Sequence, residues 1–145
     1  MPQFRYAQGR IVDSIRFISE EMKEFETEYS QKTRKEYQGD RKLQKLMDRT
    51  VETILTALVE ICGTYLTEKG IGAESYADVL EKCAQELGLN RGEQEAFAAL
   101  AIQRNRLAHR YLNFRWQAVN DFSTKRVLIA RVVSLLLKRE EERNP

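Results

Sequence analysis

From Gln3 to Asn144 the chain contains no proline; Pro2 and Pro145 stand at its two ends. A backbone without the residue that interrupts helices is free to run in long ones. No segment alternates apolar and polar residues at period two, so strands find no support. What recurs instead is the three-and-four step of a helix face. Phe4, Ile11, Ile15, Ile18, Met22, Phe25 and Tyr29 trace one narrow apolar seam, once the polar Gln8 in the series is counted. Glu20, Glu21, Glu24, Glu26 and Glu28 fall mostly off that seam, as a solvated face. Residues 30–40 are polar and aperiodic and read as a connector.

Leu43, Met47, Thr50, Ile54, Leu58, Ile61 and Tyr65 mark a second long helix, and Gly70 follows Lys69 where a C-terminal glycine is expected. Ser75 and Asp78 cap a short third helix that carries Tyr76, Val79, Leu80, Cys83 and Leu87 and closes at Gly88. Asn90 and Glu93 repeat the capping pattern and open a fourth. A fifth runs from Gln117 to about Arg139, with an apolar face wide enough for either a buried central helix or an oligomer surface. The expectation is an all-α, up-and-down bundle of four to five helices in one domain, 1–145.

Composition narrows the function classes. With 42% hydrophobic and 32% charged residues the chain suits a globular domain and not a disordered one. A net charge of +2 is too small to argue for nucleic acid unless it is concentrated locally. Cys62 and Cys83 form no CxxC pair, which argues against a zinc site or a disulfide framework and for buried free thiols in a reducing compartment. A single histidine leaves no multi-histidine metal centre. No run reaches membrane-spanning length and the start carries no secretory apolar region, so a cytoplasmic protein without a membrane partner is expected.

The charge is concentrated at Arg104-Asn105-Arg106-Leu107-Ala108-His109-Arg110-Tyr111, which holds that one histidine. From Ala96 to Asn120 there is no acidic residue, while Arg104, Arg106, Arg110 and Arg115 all lie inside the window. By helical spacing Phe97, Leu100, Arg104, Leu107 and Tyr111 share one stripe. Ala98, Ile102, Asn105, His109 and Leu112 form the adjoining one, and Gln103, Arg106 and Arg110 face outward. Arg104, Asn105, His109 and Tyr111 thus occupy places where apolar residues are expected. Such groups are either paired or serve a cleft, because burying an unpartnered guanidinium is costly. Arg104 and His109, five residues apart, point roughly 140° away from each other on a straight helix. One phosphate meets both if the arginine bends round, if the helix loosens, or if a two-fold axis brings a second motif opposite; the third route is favoured.

An arginine followed after four residues by histidine, with a polar residue beside the arginine, resembles the motif of the HEPN superfamily. The tyrosine two places after the histidine makes it similar to the HepT family. The likeness extends through VETILTALVEICGTYLTEKG (51–70) and SYADVLEKCAQELG (75–88) to the motif helix, and is weakest in the first forty residues. Phe114-Arg115-Trp116 departs from the family, where an acidic residue is more usual.

The resemblance implies a ribonuclease toxin that cleaves RNA without metal or cofactor, in a cleft formed across a homodimer. Arg104 and His109 would be catalytic, Asn105 their support, and Arg106, Arg110 and Arg115 the grip on the RNA backbone. It further implies that a nucleotidyltransferase antitoxin of the MntA kind silences the toxin by placing AMP on Tyr111. Two alternatives stand beside it. One is a catalytically silent helical partner of a nucleotidyltransferase. The other is an interaction module without an active site, which requires Arg104 to be neutralised by a buried carboxylate such as Asp48 or Glu52.

Overall fold

The structure is a computed structural model that describes residues 2–109 and 114–143, with side chains from Ile11 onward. The described residues form eight helices and no strand: α1 Pro2–Glu28, α2 Arg34–Gly39, α3 Arg41–Glu68, α4 Tyr76–Glu86, α5 Arg91–Ala98, α6 Leu100–Ala108, α7 Arg115–Thr124 and α8 Arg126–Arg143. The all-α bundle expected from the apolar periodicity is what forms. None of these helices is long and apolar enough to cross a membrane.

α3 is the central element, touching α1, α2, α4, α6 and α7. Its periodic seam explains only part of this. Met47, Ile54, Leu58, Ile61 and Tyr65 are buried as the seam requires, but Val51, Leu55, Cys62 and Leu66 bury a second stripe beside it. Two stripes let one helix pack against neighbours on several sides. The wide face of the last helix has a related cause: Ile129, Val132, Val133 and Leu136 are buried in α8, which packs on α1, α5 and α7. α1 is fastened by Phe25, whose ring meets that of Phe122 on α7 edge to face at a centroid distance of 4.9 Å. Burying each of these rings contributes roughly 2–3 kcal/mol.

The turns follow local chemistry. Gly70 (φ 73°) ends α3 in the left-handed conformation, with Ile71 N–H donating back to the Leu66 carbonyl at 2.9 Å. Gly88 (φ 85°) ends α4 in the same way, with Leu89 N–H on the Ala84 carbonyl. Ser75 accepts from Asp78 N–H, and Asn90 with Glu93 completes a reciprocal capping box. Cys62 and Cys83 are both buried and unbridged, and burial next to Cys83 pushes the Cys62 thiol well above the ordinary thiol range.

Three boundaries differ from the sequence expectation. The connector over 30–40 contains α2, nucleated by a Thr33–Glu36 capping box and anchored by buried Tyr37. One turn offers too few residues for periodicity to register. The fourth helix divides at Ala99, where Ile102 N–H takes a tighter three-residue bond to the Ala99 carbonyl. The fifth divides at Lys125. There Thr124 Oγ1 and Arg126 Nε donate to the Asp121 and Ser123 carbonyls, competing with the helical ladder.

Candidate active site

α6 packs through Leu100, Ala101 and Leu107, all buried, against α3, α4 and α7. At one hundred degrees per residue Arg104 lies in the middle of that face, between Leu100 and Leu107. It is accommodated by three neighbours. Its Nε donates to Thr56 Oγ1 on α3 at 3.3 Å, its Nη1 donates to Asn105 Oδ1 at 3.3 Å, and its Cζ stands 5.3 Å from the centre of the Tyr76 ring on α4. A guanidinium carries five N–H donors, so three remain without a protein acceptor among the described residues. The side chain opens onto a groove of about 900 Å³, bordered by Ser14 of α1, Thr56, Glu60 and Thr64 of α3, and Tyr76 of α4.

No carboxylate forms an ion pair with Arg104 among the described residues, so neither Asp48 nor Glu52 neutralises it. Asp48 is engaged elsewhere: Tyr37 Oη donates to its Oδ1 at 2.5 Å, and Arg115 Nη1 lies 3.4 Å from its Oδ2. Burial pushes the Asp48 carboxyl up, while the two bonds pull it the other way. The same burial, with the bond to Asp48, drives the Tyr37 phenol far above its ordinary range. The interaction-module alternative therefore lacks the buried pair it requires.

Asn105 joins the two ends of the motif. Its side chain meets Arg104, and its backbone carbonyl accepts from His109 N–H at 2.9 Å. His109 is the C-cap of α6 (φ −93°, ψ 4°) and is exposed. The regular helix thus stops at Ala108, immediately before the imidazole. This corrects the second apolar stripe expected on the helix: Ile102 is 53% exposed, Asn105 only half-buried and His109 exposed. Asn105 and His109 are on an open side, and only Arg104 stands where hydrocarbon is otherwise packed.

Arg106 is half-buried on the outer side, donating to Gln103 Oε1 at 3.2 Å with its Cζ 4.6 Å from the centre of the Phe114 ring. Arg115, at the start of α7, is turned toward Asp48 and leaves its buried Nε without a partner among the described residues. Arg110 and Tyr111 lie outside the described residues. Thr56, Tyr76 and Tyr37 carried no signal in the sequence as parts of a site, since each reaches it only through the packing of α2, α3 and α4; Asp48, considered there as a partner for Arg104, meets Tyr37 and Arg115 instead. No group of three His, Cys, Asp or Glu side chains among the described residues is arranged to hold a metal ion.

A guanidinium with unspent donors, a neighbouring amide and an exposed imidazole on one short helix are the components for binding a phosphate and moving a proton beside it. A family model described as Ribonuclease HepT-like matches residues 18–131, a span that includes Arg104, Asn105, His109 and Tyr111. No curated protein and no solved structure matches the chain.

Proposed function

Because the chain belongs to the ribonuclease HepT-like family of RNA-acting toxins, we propose that it is a metal-independent endoribonuclease of a toxin–antitoxin pair. The observation that carries this reading is Arg104: a guanidinium on the packed face of α6, without a carboxylate partner among the described residues, facing a groove. In the proposed reaction the RNA 2′-hydroxyl attacks the adjacent phosphorus as it loses its proton to a base. The bond to the 5′-oxygen breaks, that oxygen takes up a proton, and a 2′,3′-cyclic phosphate and a 5′-hydroxyl end result. His109 transfers protons, the general acid and base role an imidazole can fill. Arg104 stabilises the charge that grows on the phosphoryl oxygens, and Asn105 holds Arg104 in place. Arg106, Arg110 and Arg115 hold the RNA backbone, Arg115 with its charge partly offset by Asp48.

Two copies of the chain would complete the cleft, each offering its motif to a two-fold axis, so that one His109 serves as base and the other as acid. Control is assigned to Tyr111. Its hydroxyl attacks the α-phosphorus of ATP held by a nucleotidyltransferase antitoxin, pyrophosphate leaves, and the AMP adduct places negative charge beside the arginines.

The test is incubation of the purified protein with RNA in EDTA, followed by analysis of the new ends. Cyclic-phosphate ends from wild type that vanish in His109→Ala support the reaction and the residue together. Cleavage that persists in His109→Ala, or that requires a divalent metal, overturns the mechanism. Transfer of labelled AMP to wild type but not to Tyr111→Phe is the corresponding outcome for the control step; equal labelling of both would remove Tyr111 from it.

A further inference from the structure

We propose that the N-terminal half of α3 carries a second contact site for the RNA backbone, formed by Arg41, Lys45 and Arg49, beside the motif helix. This rests on the ribonuclease reading and extends it to residues outside the motif.

The three cations recur every four residues, so they line one face of α3 about 6 Å apart along its axis. All three are exposed, and none forms an ion pair among the described residues. They border a depression of about 960 Å³ that also touches Leu107, inside the motif on α6, and Arg115, just after it on α7. That depression shares Arg49 and Glu52 with a second one, of about 550 Å³, along the same helix. The second shares Ser14, Thr56 and Glu60 with the Arg104 groove. The middle depression is lined by Asp13, Glu52 and Glu60 against Arg49, so the basic stretch ends there and meets the motif through Leu107 and Arg115.

The electrostatics of α3 point the same way. The N-terminal end of a helix carries partial positive charge and favours acidic side chains. Beyond the Asp40 cap, which accepts from Leu43 N–H, the first turn of α3 has none, and Arg41, Lys42 and Lys45 crowd the start of the helix, where cations are disfavoured. The carboxylates on the depression that the three cations border are Asp48, engaged by Tyr37 and Arg115, and Glu52. Four cations against two carboxylates leave this depression positive. Its lining of Arg, Lys, Gln and Gly around Leu107 lacks the aromatic and aliphatic core of a protein-docking surface. A flexible polyanion matches a row of separated cations better than a folded partner does.

The experiment measures binding of a fluorescent 2′-O-methyl oligonucleotide of about twenty residues, longer than common single-strand site sizes and lacking the attacking hydroxyl. Anisotropy titrations over a range of KCl compare wild type, Arg41→Gln/Lys45→Gln/Arg49→Gln, and a control with equal charge change on other surfaces, Arg16→Gln/Lys23→Gln/Lys138→Gln. Loss of three phosphate contacts weakens binding by about tenfold or more and reduces the log–log salt slope by roughly 2, while the control stays near wild type. Circular dichroism and thermal melting verify that the variants fold. Equal affinity and slope for the α3 variant and wild type overturn the proposal and leave the ribonuclease reading standing. An α3 variant that keeps RNA affinity but loses an acidic protein partner overturns it too, assigning the stripe to that partner. Wild type that binds no RNA defeats the ribonuclease reading itself, and the α3 site with it.

Discussion

Arg104 Nε donates to Thr56 Oγ1 at 3.3 Å, across the contact between α6 and α3. The bond orients a side chain whose remaining donors face the groove, so Thr56 is a positioning residue for the proposed chemistry. Thr56→Val keeps the shape and removes the acceptor. The expected outcome is a fall in kcat of about tenfold with KM little changed, restored by Thr56→Ser. Single-turnover cleavage measures this, and equal rates for all three proteins would exclude the role.

Arg104→Lys retains the charge but loses the planar fork that spans Thr56, Asn105 and a phosphate. Cleavage is expected to drop on the order of 100-fold, the scale seen when one transition-state donor is removed. Circular dichroism should remain that of a helical bundle. A lysine variant with wild-type cleavage would show that only a point charge is required.

Tyr37 Oη and Asp48 form a short bond in a partly buried setting, and they tie α2 to α3. Tyr37→Phe leaves that carboxylate oxygen without its donor and should destabilise the fold by about 1–2 kcal/mol. Urea denaturation reads the change as a lower midpoint at unchanged slope. An unaltered midpoint would mean that water replaces the phenol at no cost.

Glu140 on α8 is buried, with Glu68 beside it and Arg143 at 4.0 Å. Desolvation, then repulsion from Glu68, raises its pKa above the ordinary 4.5. The folded chain therefore holds this proton more tightly than the unfolded chain, and ionising Glu140 costs stability. That cost is absent below the ordinary value and grows as pH rises from there through the raised one. Glu140→Gln should stabilise the protein at neutral pH, on the order of 1 kcal/mol, with the gain vanishing in acid. Thermal melts across the acid range measure it; a gain that persists at low pH would contradict the assignment.

Much of the bundle is legible in the sequence alone. The seams of α1 and α3, both glycine stops and the Asn90–Glu93 box depend on residues within a turn of one another, where spacing and side-chain type decide the outcome. The short α2 and the breaks at Ala99 and Lys125 were not legible, because one-turn events rest on individual hydrogen bonds and not on a repeating pattern. At the site, Arg104 could be recognised as polar on an apolar stripe, whereas Asn105 and His109 could not be told apart from covered positions.

The sequence by itself determined the helices, their capped ends and a lone imidazole among arginines, since these follow from local propensity and short-range spacing. Only the tertiary structure decided that Arg104 meets Thr56, forty-eight residues away, while Asp48 turns to Tyr37 and Arg115. Which carboxylate a buried cation finds depends on how helices distant in sequence pack, and one-dimensional periodicity carries no distances between them. The same packing sets the cations at the start of α3 around a depression that Leu107 of α6 and Arg115 of α7 also border.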